Sequence, residues 1–134
     1  MSANRCTGQS NPQARILFVD DDDLMRLSSI ETLKDLGYSA AAAATGSAAL
    51  DYLRAGGGVD VLITDIGLPD IPGVELAAEV RALRPGVSVI FATGYDERRA
   101  MGDASVPRTS FLAKPFAPAA LAQAISDALA RDER

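Results

Sequence analysis

The stretch Val61–Asp65, with the sequence VLITD, is a short apolar run that ends on one acid. The residues after it, Ile66–Gly73, contain two prolines and two glycines and have no helical period. A run of this length between turn signals is typical of a central strand in a sheet covered on both faces. Asp65 then lies at the carboxyl end of the strand, the edge at which open α/β sheets bind ligands. Taken alone, such an acid is more often a turn or helix-capping residue. Whether Asp65 belongs to a functional site therefore depends on the residues at the other strand ends.

Size and composition exclude several classes of protein. With 134 residues, 48% of them hydrophobic and 23% charged, the chain is expected to form one globular domain. A net charge of -5 disfavours nucleic-acid binding, and one cysteine with no histidine excludes a zinc site of the usual ligands. The chain has no apolar run long enough to span a membrane and no secretory signal. We therefore expect a cytoplasmic protein with a disordered tail over Met1–Gln13.

Apolar runs and helical periods alternate along the chain. The strands are predicted at Ala14–Val19, Tyr38–Ala43, Val59–Thr64, Val87–Ala92 and Ser110–Ala113. A helix is predicted after each strand, although Tyr95–Met101 has little apolar face, and the run of alanines makes the second strand weak by propensity. This alternation is typical of an α/β fold with a parallel sheet and helices on both faces. The last helix runs almost to the carboxyl terminus, so we expect no output domain after it.

The helices also carry sequence signals for their ends and buried faces. The first helix is expected to end at Gly37 and to bury the following stripe: Met25, Ser29, Thr32, Leu33 and Leu36. Leu24, Leu27 and Ile30 fall off that stripe and are expected to be partly exposed. Either Thr45 or Ser47 is expected to cap the second helix.

Polar side chains follow four of the predicted strands: Asp20 and Asp21, Asp65, Thr93, and Lys114. Each has an ordinary explanation when taken alone, as a helix-terminal acid, a turn residue or a solvated charge. Because parallel strands end at the same edge of the sheet, a single site explains all four positions better than independent coincidences do.

Three carboxylates that converge at one edge repel each other and resist ionising together. A divalent cation relieves this repulsion, and Mg²⁺ prefers carboxylate, carbonyl and water oxygens. One of the carboxylates can then act as a nucleophile toward phosphorus and become an aspartyl phosphate. Lys114 would neutralise charge on the phosphoryl oxygens, and the hydroxyl of Thr93 could donate a hydrogen bond to one of them.

Four motifs together resemble the receiver domain of two-component response regulators. They are Ile16–Asp21, Asp65 with Leu68-Pro69 and Gly73, Ala92–Gly94, and Lys114–Phe116. The resemblance covers about Arg15 to Ala130, with the motifs in the order and spacing of the family. It implies a flavodoxin-like, doubly wound (βα)5 fold with strand order 2-1-3-4-5, and a receiver domain over residues 14–131.

The resemblance also implies a role for each matching residue. Asp65 is expected to be the phosphoacceptor, Asp21 a direct Mg²⁺ ligand, and Asp20 an assisting one. The backbone carbonyl of Gly67 is expected to be a further ligand. Lys114 is expected to bind phosphate and to precede a cis peptide bond with Pro115.

Four positions are implied to tune or transmit the signal. Thr93 and Phe111 are expected to form a switch that changes the surface of the fourth helix, fifth strand and fifth helix. Gly67 and Tyr95 are expected to set the rate at which water removes the phosphoryl group. The stretches Ala82–Gly86 and Phe91–Tyr95 are similar to those of receivers attached to hybrid sensor kinases and of stand-alone receivers with a reduced fourth helix.

These features predict a phosphoacceptor signalling switch rather than a conventional turnover enzyme. Its expected partners are a sensor histidine kinase or a histidine phosphotransfer protein, together with an unidentified downstream protein. We expect no nucleic acid or membrane partner, and a monomer or weak homodimer. One alternative is a degenerate receiver that binds a protein while unphosphorylated. Another is a flavodoxin-like cofactor protein, which four consecutive acids at Asp20–Asp23 disfavour because they would repel a phosphate.

Overall fold

The computed structural model describes residues 14–94, 109–114 and 116–132. The elements in these residues are β1 (Arg15–Val19), α1 (Asp23–Asp35), β2 (Ser39–Ala43), α2 (Gly46–Arg54), β3 (Val61–Asp65), α3 (Gly73–Leu83), β4 (Ser88–Thr93), β5 (Thr109–Ala113) and α4 (Pro118–Asp132). The tail predicted over Met1–Gln13 and the helix predicted at Tyr95–Met101 lie outside the described residues. The helix after β5 is therefore numbered α4, although the sequence predicts it as the fifth.

The strands form one parallel sheet in the order β2-β1-β3-β4-β5. This arrangement confirms the predicted fold class and the predicted strand order. The strand at the centre is β3, with Leu62 paired to Leu17 of β1 on one side and to Val89 of β4 on the other. All five strands run in the same direction, so Asp65 leaves the sheet at the edge where the other strands also end.

Helices cover both faces of the sheet because the strand side chains are apolar on both sides. Leu17 and Val19 of β1 belong to the core cluster that includes residues of α2 and α3. Ile16 and Phe18 point the other way and pack in the cluster that includes residues of α1 and α4. Alternate side chains of a strand face opposite sides, so one continuous apolar run supplies both cores. Among the described residues, no helix has the length and apolar character needed to cross a membrane.

The first helix begins and ends largely as its sequence predicts. The Asp22 side chain caps it by accepting a hydrogen bond from the Met25 N–H at 3.1 Å, and Gly37 follows the end in a left-handed conformation with φ 95°. The prediction that Leu36 is buried was wrong, because the helix ends at Asp35 and Leu36 is 41% exposed. Leu24 and Leu27 are exposed as expected.

The second helix is capped by Thr45 rather than Ser47. The Thr45 hydroxyl accepts a hydrogen bond from the Ala48 N–H at 3.0 Å. At the other end of α2, the guanidinium of Arg84 donates to the carbonyls of Leu53 and Gly57, each at 2.9 Å. A side chain that follows α3 thus binds backbone carbonyls in and just after the last turn of α2.

An ion pair between Arg15 and Asp60 lies at the amino-terminal edge of the sheet. Asp60 accepts hydrogen bonds from the Arg15 backbone N–H at 2.7 Å and from its guanidinium at 3.2 Å. Partial burial acts to raise the pKa of Asp60, but the hydrogen bonds and the charge of Arg15 outweigh burial, so the pKa is lowered below its ordinary value of 3.8.

This lowered pKa makes part of the stability of the fold depend on pH. A carboxyl whose pKa is lower in the folded state stabilises the fold above its unfolded pKa, and that contribution is lost as the pH falls through the folded pKa. We expect Asp60→Asn to lower the free energy of unfolding by about 1 kcal/mol at neutral pH, because the pair is partly exposed. Urea unfolding of both proteins from pH 7 downward should show the difference shrinking below the ordinary pKa. A difference that stays constant with pH would contradict the assignment.

Candidate functional site

Three carboxylates meet at the carboxyl-terminal edge of the sheet. Asp20 follows β1, Asp21 begins the turn into α1, and Asp65 is the last residue of β3. One carboxylate oxygen from each residue lies within 4.8 Å of the others. Asp20 is only 1% exposed, the Asp65 side chain is 12% exposed, and Asp21 is exposed. The site therefore opens to solvent on one side while two of its acids are largely enclosed.

Lys114 brings a positive charge into this group from the end of β5. Its ammonium Nζ lies 3.2 Å from Asp20 Oδ2 and 3.4 Å from Asp65 Oδ2. Partial burial acts to lower the pKa of Lys114, but the charges of Asp20 and Asp65 and their hydrogen bonds have the larger combined effect and raise it. Lys114 is therefore protonated at neutral pH.

Backbone and side-chain donors fix the acidic turn after β1. The Asp20 N–H donates to the carbonyl of Ala43 in β2, and Asp20 Oδ1 accepts from the Asp22 N–H at 2.9 Å. The guanidinium of Arg26 donates to the backbone carbonyl of Asp20 at 2.9 Å and to the carboxylate of Asp23. Sequence reasoning did not single out Arg26. Its position in the first turn of α1, three residues after Asp23, was the available signal.

The loop after Asp65 folds back close to that residue. The Gly67 N–H donates to Asp65 Oδ1 at 3.4 Å, and the Thr64 hydroxyl donates to the Asp65 carbonyl at 2.9 Å. A Cβ added to Gly73 would lie 2.2 Å from that same carbonyl oxygen, so only glycine fits at the start of α3. The Gly73 N–H also donates to the Ile66 carbonyl at 2.8 Å and closes the loop at its base.

The remaining predicted residues are placed as follows. Thr93 ends β4 and pairs in register with Ala113, the residue before Lys114, but its side chain lies outside the described part of the structure. Phe111 is half-buried on β5, with its ring centroid 5.8 Å from that of Phe91. Tyr95 and Pro115 lie outside the described residues, so the rate-tuning role of Tyr95 and the cis peptide stay predictions.

The donor set is suited to a hard divalent cation. Three carboxylates with one ammonium leave the group with a net charge of about -2, which a doubly charged ion would neutralise. Carboxylate oxygens are the ligands that Mg²⁺ prefers, and soft sulfur or imidazole ligands do not occur in the group. The same group contains a candidate nucleophile, Asp65, beside a candidate phosphate-binding cation, Lys114.

Comparison with known proteins agrees with this geometry. Residues 16–126 match the family model of the response regulator receiver domain. The chain belongs to this family. The assignment confirms the resemblance recognised in the sequence motifs, and it decides against the flavodoxin-like cofactor protein.

Relatives of this receiver domain include both kinase-attached and stand-alone proteins. It is 33% identical over 125 residues to the sensor kinase CckA of Brucella abortus, covering 90% of this chain but only 13% of the kinase. It is 32% identical over 103 residues to the response regulator receiver protein CpdR of the same organism, covering 76% of this chain and 85% of CpdR. The crystal structure of the response regulator TrrA from Thermotoga maritima, in complex with Mg(2+)-BeF, has a TM-score of 0.74 and 31% identity. The match covers 87% of this chain and 99% of TrrA.

Proposed function

We propose that this receiver domain is a cytoplasmic phosphoacceptor switch that takes a phosphoryl group from a phosphohistidine onto Asp65. The observation that carries the proposal is the position of Lys114, whose ammonium lies 3.2 Å from Asp20 and 3.4 Å from Asp65. A purely structural ion pair would need one acid, whereas this lysine contacts one acid that is enclosed and a second at the end of the central strand. The third acid, Asp21, completes a group that fits a metal ion.

The proposed transfer is a displacement at phosphorus. An oxygen of Asp65 forms the new P–O bond, the P–N bond to the donor imidazole breaks, and its electron pair returns to the imidazole nitrogen. Lys114 neutralises charge on the phosphoryl oxygens from a position already adjacent to Asp65. Asp20, Asp21, Asp65 and the carbonyl of Gly67 would hold Mg²⁺, which when bound supplies the remaining neutralisation of charge. The complex of TrrA with Mg(2+)-BeF supports this choice of metal.

The proposed output is a change in the surface around β5. Thr93 would move toward the phosphoryl group, and Phe111 would turn into the space that it leaves. Phe111 is half-buried against Phe91, so this surface starts from a packed arrangement that a local change can bias. Hydrolysis of the aspartyl phosphate would reset the switch without turnover of a separate substrate.

The proposed donor is a histidine kinase or a histidine phosphotransfer protein. The relatives CckA and CpdR, one a sensor kinase and one a receiver protein, support a place in such a relay. The test is transfer from a purified phosphohistidine domain, followed by borohydride reduction, which converts an aspartyl phosphate to homoserine. We expect a peptide with homoserine at position 65. Transfer to another residue would show that Asp65 is not the acceptor, and no transfer from any donor would favour the alternative of a receiver that acts unphosphorylated.

A further inference from the structure

Asp70, in the loop after the acceptor, is bound to the first turn of α2. Its Oδ1 accepts a hydrogen bond from the Gly46 N–H at 3.0 Å, and its Oδ2 accepts one from the Ser47 N–H at 2.8 Å. The hydroxyl of Thr45 covers the next N–H, that of Ala48. Two of these three donors at the start of α2 are thus satisfied by a residue more than twenty positions away along the chain.

Side-chain packing joins the same two segments. A Cβ added to Gly46 would lie 2.5 and 2.7 Å from carbons of Ile71, so the loop and the helix approach as closely as a glycine allows. Ile71 is also packed against the core cluster below α2 and α3. The part of the loop that contains Asp70 and Ile71 therefore has a defined position relative to α2.

Gly67, nearer the start of the same loop, contacts Asp65, the proposed phosphoacceptor. The Gly67 N–H donates to Asp65 Oδ1 at 3.4 Å, and the Gly67 carbonyl is the backbone group that we expect to bind the metal. Gly67 is three residues from Asp70 and is exposed, with no side chain of its own to hold it. Leu68, next to Gly67, is buried in the core cluster that includes α2 and α3, and the loop is also held by the closure between Gly73 and Ile66 and by the contact of Asp70 with α2.

We propose that Asp70 is a positioning residue for phosphotransfer, which ties the acceptor loop to α2 and so holds the Gly67 backbone against Asp65 and the metal. The inference rests on the proposed function and adds a residue outside the acidic group. The hydrogen bonds from Ser47 and Gly46 hold the pKa of Asp70 below its ordinary value, so it is ionised and a full acceptor at neutral pH. An anion at a helix N-terminus is also favoured by the helix dipole.

The test compares Asp70→Ala with Asp60→Ala. Asp60 is a matched control because it also accepts from a backbone N–H and has a lowered pKa, but it lies at the opposite edge of the sheet. Each variant is measured for urea unfolding, for Mg²⁺ affinity by titration of the Gly67 amide signal in ¹H–¹⁵N spectra, and for the rate of phosphorylation by acetyl phosphate. Asp70→Asn, which keeps one acceptor oxygen, gives an intermediate case.

We expect Asp70→Ala to weaken Mg²⁺ affinity and slow phosphorylation by roughly tenfold, the usual effect of losing a residue that orients a metal ligand. Asp60→Ala should lower stability and leave both quantities as in the wild type. If Asp70→Ala lowers stability but leaves the Gly67 amide, Mg²⁺ affinity and rate unchanged, Asp70 is only a helix cap and the inference is wrong. If the wild type binds Mg²⁺ but never accepts a phosphoryl group, the proposed function fails, while the titration still decides whether Asp70 positions Gly67. Wild-type protein that binds no Mg²⁺ would overturn both.

Discussion

Lys114→Ala is expected to slow phosphorylation by acetyl phosphate by roughly a hundred- to a thousandfold, the usual cost of removing one preorganised donor from a developing charge. The ammonium lies beside both Asp20 and Asp65, so the substitution removes the positive charge that contacts these two carboxylates. The rate constant at saturating Mg²⁺, followed by intact mass, is the measurement.

The same substitution should also lower stability when no divalent ion is present. Asp20 is buried, and without Lys114 its carboxylate would have neighbouring carboxylates beside it and no salt bridge to any of the described residues, which we expect to cost about 1–3 kcal/mol. Added Mg²⁺ should restore part of this loss. Lys34→Ala is the matched control, because Lys34 is the only other lysine of the chain and is exposed in the last turn of α1. An unchanged rate in Lys114→Ala, or an equal loss in both variants, would contradict the proposed role.

Gly73→Ala is expected to lower the stability of the fold and to slow the phosphorylation of Asp65. The added Cβ would lie 2.2 Å from the Asp65 carbonyl oxygen and 2.9 Å from the Ile66 Cα, and both are backbone atoms that no change of rotamer can move. Either α3 or the end of β3 must therefore shift. We expect a loss of roughly 1–3 kcal/mol in the free energy of unfolding, as for other overpacked sites, together with slower phosphorylation because Asp65 is displaced.

Gly86→Ala provides the control for this substitution. A Cβ at Gly86 meets nothing within 4 Å, and the backbone there is not left-handed, so the change should be neutral or slightly stabilising. Urea unfolding and the rate of phosphorylation are measured for both variants. A Gly73→Ala protein with wild-type stability and rate would show that the loop can yield, and that the close approach to Asp65 is not needed.

The strand ends and the order of the acids were predictable because they follow from a repeating local pattern. The second strand is the exception, since its alanines favour helix, yet Ser39–Ala43 pairs with every residue of β1. Here tertiary pairing overrides local propensity, and only the position of the segment between two helices suggested a strand. The prediction that Leu36 is buried was wrong because it continued the helical period one residue past the end of α1.

The contacts that hold the site were less predictable than its members. Asp70 reads as one polar residue in a proline-rich turn, and nothing near it in sequence indicates that its partners are Gly46 and Ser47. The partner of Arg26 was equally hard to predict, because its guanidinium donates to the backbone carbonyl of Asp20, which precedes α1. Such partners depend on how the elements pack, which the pattern of one segment does not contain.

The most direct test of the central claim is the intact mass of the protein after incubation with acetyl phosphate and Mg²⁺, beside Asp65→Asn under the same conditions. We expect a gain of one phosphoryl group in the wild type, no gain in the variant, and loss of the gain when the metal is chelated. An equal gain in the Asp65→Asn protein would show that the phosphoryl group is on another residue and that Asp65 is not the acceptor.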